Sequence, residues 1–149
     1  MNNMYYECTV KYDRVQENGL NKTVSEKYLV DAISFSEAEK RIIEEMTPHA
    51  NSNLDVTAIR RQQITYLFES KNAQADRWYK AKLAFITIDE KTQKEKRTPA
   101  TVMVRATDFD DARNAIEEGM RGSMADWEKA VLSETPIMDV FKYEVKSEK

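Results

Sequence analysis

The fold of this chain is decided by residues 5–12, YYECTVKY, whose pattern returns at residues 78–85 as WYKAKLAF. Apolar and polar side chains alternate in both stretches, which predicts a strand with one buried and one polar side. Residues 32–38, AISFSEA, return in the same order as residues 106–112, ATDFDDA. Because two long patterns recur in the same order, the sequence indicates an internal duplication.

Each copy is predicted to be a strand-strand-helix-strand unit. A polar turn joins the first two strands, and in the first copy it contains Asn18 and Gly19, a dipeptide typical of tight hairpins. Three strands and one helix enclose only a thin core, so the two copies are expected to pack as one compact unit. The expected fold is α+β, with antiparallel sheets, one helix per repeat and pseudo-twofold symmetry. Sheets joined edge to edge and sheets stacked face to face are both compatible with this pattern.

The predicted domain bounds follow the repeat. The first repeat spans 1–70, a short connector spans 71–77, and the second repeat spans 78–149. The connector contains neither glycine nor proline, which favours tight association of the repeats over a flexible linkage.

The helix of each copy has a clear predicted start. Ser34 and Glu37 form a capping box, and Asp108 and Asp111 occupy the same two positions in the second copy. An apolar stripe at helical spacing follows each cap and is expected to face the sheet. Its predicted members are Phe35, Ala38, Ile42 and Met46 in the first copy, and Phe109, Ala112, Ile116 and Met120 in the second.

The last element of each copy reads as an irregular strand, at about 56–68 and 129–143. Its alternation breaks at 62–63 in the first copy and at Pro136 in the second, as a bulge, a bend or a split into two strands would cause. A short second helix over 123–131 is an alternative, because its apolar residues also fit helical spacing.

Composition favours a soluble cytoplasmic protein. One third of the 149 residues are charged, and no apolar run approaches the ~20 residues of a membrane span. Cys8 is the only cysteine, so an internal disulfide and a thiolate-clustered metal site are excluded, and it is expected to be a small buried hydrophobe. His49 is the only histidine and is expected to be an ordinary loop residue.

The chain resembles an uncharacterised family, with a domain of unknown function, of duplicated proteins of about this length from Bacteroidota and their phages or mobile elements. The resemblance rests on the aromatic start at 5–7, the SFSEAE helix opening at 34–39 and the VTAIR strand at 56–60. It covers essentially the whole chain and carries no assigned activity, so it implies no functional residue.

No catalytic constellation stands out, and no cofactor is expected. Three glycines are too few and too scattered for a phosphate-binding loop. Asp108, Asp110 and Asp111 form a dense acidic cluster that is a candidate cation site, but a helix cap with acidic residues in its first turn explains them better.

The favoured function is a small non-catalytic binding or accessory protein whose partner is an unknown protein or a second copy. A homodimer would bury outer-face residues such as Leu29 and Met103. The alternative is single-stranded nucleic-acid binding by an outer sheet face, in which an aromatic ring stacks on a base and cations neutralise phosphates. An enzyme of unknown class is the third hypothesis. The candidate nucleic-acid contacts are Trp78, Lys80, Lys82, Arg60 and Arg61.

Overall fold

The structure is a computed structural model that describes residues 4–50 and 52–143. Within these residues the two halves have the same order of elements, and each half contains one helix, so the predicted α+β class is confirmed. The first half forms β1 (Met4–Val15), β2 (Asn21–Asp31), α1 (Phe35–Met46), β3 (Ser52–Gln63) and β4 (Tyr66–Glu69). The second half forms β5 (Arg77–Ile88), β6 (Glu95–Ala106), α2 (Phe109–Gly119), β7 (Asp126–Glu134) and β8 (Ile137–Phe141).

The first two strands of each half form an antiparallel hairpin, as their alternation predicts. Cys8 lies opposite Tyr28 in the first hairpin, and Ala81 lies opposite Val102 in the second. Gly19 adopts a φ of 82° at the first turn, a conformation that glycine reaches without the steric cost that a Cβ would add. The two hairpins therefore have matching registers, which allows position-by-position comparison.

Each helix begins at its predicted cap and packs its apolar stripe on one side of the hairpin. The Ser34 side chain accepts a hydrogen bond from the Glu37 amide at 3.1 Å, and Asp108 accepts one from the Asp111 amide at 2.8 Å. The stripe members that follow the first phenylalanine are buried. Phe35 and Phe109 are only half-buried and lie edge-on against the rings of two core tyrosines.

The final strand of each half splits in two, and its second piece joins the other half's sheet. β8 pairs in parallel with β2, and β4 pairs in parallel with β6. The sheet orders are β3-β1-β2-β8 and β4-β6-β5-β7. Both sheets are consequently mixed, whereas the sequence pattern predicted antiparallel sheets.

This exchange sets the bounds of the compact units in space. Of the described residues, the first unit comprises 4–50, 52–63 and 136–143, and the second comprises 64–135. The structure divides into these two units, not at the predicted connector, because β4 and β8 belong by contact to the opposite hairpin. Residues 1–3 and 144–149 of the predicted repeats lie outside the described residues.

The predicted breaks in the final strands are confirmed, and the alternative helix is wrong. The strands are interrupted at 64–65, directly after the break predicted at 62–63, and at 135–136, where Pro136 was predicted to break the second. Residues 126–134 form β7, which pairs with β5 through a register shift. Strand pairing outweighs the helical spacing of apolar residues there, because β7 pairs along its length with β5, one of the two inner strands of the sheet.

Some apolar residues on the sheet face away from the helix are buried, contrary to the expectation of an open face. Leu29 and Met103 are each only 2% exposed, and Tyr5 is 5% exposed. The homodimer hypothesis placed Leu29 and Met103 at an accessible surface. Because both side chains are buried, they are not available as contacts with a second copy.

Gly119 ends α2 where the ring of Phe68 from β4 passes over it. A Cβ at position 119 would lie 2.6 Å from two ring carbons of Phe68. The ring is held by stacking on Tyr66 and by packing against the second unit's core, so it has little freedom to turn away. We expect Gly119→Ala to lower the free energy of unfolding by ~1–3 kcal/mol, the usual cost of overpacking, measured by urea denaturation.

The matched control for this prediction is Phe68→Ala, alone and combined with Gly119→Ala. Alanine lacks all of the ring carbons that the new Cβ would meet, so the double variant should lose less stability than the sum of the two single variants. Strict additivity of the two losses would show that the clash between position 119 and the ring is not the cause.

Candidate functional site: the Glu26 cleft

The first unit carries a cleft of about 370 Å³ that is lined by residues of β1, β2, β8 and the end of α1. Three polar side chains form its centre: Tyr12, Glu26 and Tyr28. We call this site the Glu26 cleft. Its remaining lining residues are Arg14, Met46, His49, Met138, Asp139 and Phe141.

The carboxylate of Glu26 organises the centre of the cleft. The Tyr12 hydroxyl donates a hydrogen bond to its Oε1 atom, and the Tyr28 hydroxyl donates another to the same oxygen at 3.0 Å. Arg14 forms an ion pair with Oε2 at 3.4 Å. The Glu26 side chain is only 9% exposed, so these partners offset the cost of holding a carboxylate largely out of water.

Both tyrosines remain protonated at neutral pH. Burial raises the pKa of Tyr28, and the negative charge of Glu26 raises it further. Burial also raises the pKa of Tyr12, followed by its hydrogen bond to Glu26. Since each hydroxyl proton is committed to Glu26, each phenolic oxygen can offer only acceptor lone pairs to the cleft.

One wall of the cleft comes from β8, near the far end of the chain. The Phe141 ring stacks on Tyr28 with centroids 5.4 Å apart and an interplanar angle of 14°. Met138 lies at the rim with half of its surface exposed, and Asp139 lies beside it with Oδ1 accepting the Val140 amide at 2.8 Å. The strand exchange therefore supplies part of this site.

The matching positions of the second unit are apolar. Glu26 pairs with Val10 across the first hairpin, and Ala100 pairs with Leu83 at the corresponding place. By the same register, Phe85 and Val102 stand where Tyr12 and Tyr28 stand in the first unit. Since the same scaffold holds apolar residues at all three positions, strand pairing does not require the polar ones.

The structure buries the residue on which the nucleic-acid hypothesis depends. Trp78 is only 2% exposed, so its indole presents no face for a base to stack on. Lys80 and Lys82 do share one face of β5, the first half-buried and the second exposed.

Arg60 and Arg61 lie in the other compact unit, on β3, and as neighbours they point to opposite sides of that strand. The guanidinium of Arg61 lies over the rings of Phe35 and Tyr6, at 5.4 and 5.9 Å from their centroids. Arg60 pairs across the sheet with Glu7. The five candidate residues therefore do not share one sheet face.

The acidic cluster at the start of α2 serves the local structure. Asp108 caps the helix, Asp110 pairs with Arg113 at 3.2 Å, and Asp111 accepts hydrogen bonds from Thr107 and Ser70. Across residues 4–50 and 52–143, no group of three or more histidine, cysteine, aspartate or glutamate side chains is placed to hold a metal ion.

The thiol of Cys8 is fully buried, as its strand position predicts. Burial raises its pKa to about 12, so it is not a thiolate at neutral pH. The only other single-copy residue of chemical interest, His49, lies at the rim of the Glu26 cleft.

Sequence reasoning missed the Glu26 cleft, although one signal of it was present. Glu26 has the same parity as Tyr28 and Val30, which are buried residues of β2. A glutamate in the core-facing register of a strand needs buried partners or an opening to solvent. Its partners Tyr12 and Arg14 lie on β1 and Tyr28 lies on β2, within the predicted hairpin. The wall contributed by β8 could not be read from the hairpin pattern.

The chain belongs to the family described as Domain of unknown function (DUF4494), whose model matches residues 4–143. Neither the curated proteins nor the solved structures contain a significant match to it. In the described part of the chain, neither helix has the length and apolar character needed to cross a membrane.

Proposed function

We propose that this protein is a non-catalytic binding protein that holds a partner protein at the Glu26 cleft. The observation that carries the proposal is the contrast between the two units. One unit keeps a hydrogen-bonded carboxylate and two tyrosines in an open cleft, while the other has Phe85, Ala100 and Val102 at the same register positions. A polar group that is largely buried and not required by the scaffold is typical of a recognition site.

The chemistry of the cleft favours binding over catalysis. The pKa values of Tyr12 and Tyr28 are both raised, so neither phenol is available as a base near neutral pH. The Glu26 carboxylate is occupied by two hydroxyl donors on one oxygen. These groups are suited to orienting a ligand and accepting its hydrogen bonds.

The size and rim of the cleft favour a protein partner. Its volume of about 370 Å³ is near the lower end of ligand pockets, which span ~300–1,000 Å³, and suits one inserted side chain. Half-exposed Met138 at the rim adds an adaptable apolar contact of the kind found at protein-binding surfaces. A partner segment would cover the rim and place one side chain in the cleft.

The test transfers the second unit's residues into the first. The triple variant Tyr12→Phe, Glu26→Ala, Tyr28→Val and the unaltered protein are compared for binding of peptides selected by the unaltered protein from a random phage-displayed library. We expect the triple variant to bind the selected peptides at least about tenfold more weakly, measured by fluorescence anisotropy. The exposed-site variant Lys82→Ala, in the second unit, is the matched control and should bind them normally.

Folding of the triple variant is checked by circular dichroism and thermal melting. If it does not fold, Glu26→Gln replaces it, since glutamine keeps the shape of the side chain and one oxygen acceptor for the tyrosines. Selected peptides that bind the variant as tightly as the unaltered protein, or a library that yields no binding peptide, would contradict the proposal.

A further inference from the structure

We infer, building on the proposed function, that the side chain received by the Glu26 cleft is basic: a lysine or an arginine of the partner. The inference rests on the balance of hydrogen-bond donors and acceptors, on the charges that face the cleft, and on its aromatic wall.

The centre of the cleft offers acceptors. The hydroxyl protons of Tyr12 and Tyr28 both go to Oε1 of Glu26, which leaves lone pairs on the two phenolic oxygens. Oε2 of Glu26 has one long contact with Arg14, at 3.4 Å, and keeps capacity for a shorter bond. An ammonium or guanidinium group, which carries only donors, complements this set.

The charges that line the cleft also favour a basic side chain. Glu26 and Asp139 contribute two negative charges and Arg14 one positive charge, so with His49 neutral the lining sums to −1. The Arg14 side chain is 48% exposed, and an ion pair of this kind holds its geometry weakly. An incoming cation can displace it from Oε2 without leaving a buried charge behind, because Arg14 turns into solvent.

The stacked pair of Tyr28 and Phe141 suits the rest of such a side chain. Lysine and arginine carry a long apolar stem that packs on aromatic surface while the charged head reaches a polar partner. The rings lie 5.4 Å apart as one wall, next to the carboxylate that would receive the head group. Attraction between a cation and the ring faces adds to the same preference.

The experiment uses the full chain and four blocked tripeptides, with lysine, arginine, norleucine or citrulline between two glycines. Binding is followed by chemical-shift changes in heteronuclear NMR spectra during titration. We expect the lysine or the arginine peptide to bind saturably, with shifts at Tyr12, Tyr28 and Phe141. The uncharged norleucine and citrulline peptides, which match them in shape, should bind at least about tenfold more weakly, as expected for loss of a charge-assisted hydrogen bond.

Two variants move the affinity in opposite directions. Glu26→Gln removes the charge and should weaken binding of the basic peptide about tenfold or more. Arg14→Gln removes the resident competitor and should tighten it roughly two- to fivefold. A purely structural role for Glu26 predicts no tightening in the Arg14 variant, so this pair separates recognition from stability.

Spermidine is titrated in parallel, because a free polyamine offers the same chemistry. Spermidine that binds more tightly than both basic peptides would overturn the assignment to a protein side chain. Equal binding of charged and uncharged peptides, or affinities that neither variant changes, would overturn the basic-side-chain inference. If peptides from the random library still bind in a Glu26-dependent manner in that case, the proposed function stands and only this inference fails.

Discussion

Replacing Trp78 with alanine should unfold or severely destabilise the protein, lowering its free energy of unfolding by ~3–5 kcal/mol. The indole is only 2% exposed, and its replacement by a methyl group would leave a cavity among closely packed side chains. Thermal and urea denaturation followed by circular dichroism measure the loss. The effect is large because a domain of this size has a net stability of only ~5–15 kcal/mol.

The matched control is Lys82→Ala, on the same face of β5 but exposed to solvent. Its stability should stay within ~0.5 kcal/mol of the unaltered protein, as for most surface substitutions. A Trp78→Ala variant that kept full stability and lost ~1–3 kcal/mol of binding to a single-stranded oligonucleotide would restore the base-stacking hypothesis. If the variant unfolds, Trp78 is a core residue and not a nucleic-acid contact.

A chain that ends at residue 135 should lose structure mainly in the first unit, although all the removed residues come from the end of the sequence. Such a chain lacks β8, whose Ile137 and Val140 are each 8% exposed. Each buried aliphatic side chain is worth ~1.5–3 kcal/mol, so the first unit should lose ~3–6 kcal/mol. Amide hydrogen exchange should become faster in β1 and β2, while β5 and β6 keep their protection.

The matched control is a chain that ends at residue 143, which retains β8 and its pairing with β2. It should show the exchange pattern of the full protein. Faster exchange confined to β5, β6 and β7 after the shorter truncation would mean that the second sequence repeat folds as its own unit, and the strand exchange would then be wrong.

Local features of this fold were predictable because their causes are local. The alternation at 5–12 required a half-buried strand, and the structure places its apolar set in the core. Ser34 and Asp108 start the helices because a side-chain oxygen satisfies an amide three residues later, whatever lies elsewhere in the chain. The loss of alternation at 62–63 and at Pro136 predicted a break in each final strand, and the breaks lie at 64–65 and 135–136.

The partners of the pieces after those breaks were not predictable in this way. β4 and β8 are short and carry no signal that distinguishes a neighbouring edge in the same half from one in the other half. The choice depends on which open strand edge lies within reach once the hairpins and helices have formed, and pairing of that kind is non-local. For the same reason the burial of Trp78 could not be decided from its strand pattern.

The Glu26 cleft also combines features that the sequence sets with features that only the tertiary structure sets. The sequence by itself determined that a glutamate and two tyrosines share the core-facing side of the first hairpin, because strand geometry sets the side of each residue. Only the tertiary structure decided that the end of α1 borders them at Met46 and that β8 contributes Phe141 and Asp139 to the wall. A strand specifies where its own side chains point, whereas the solvent or protein that meets them is decided by contacts between distant segments.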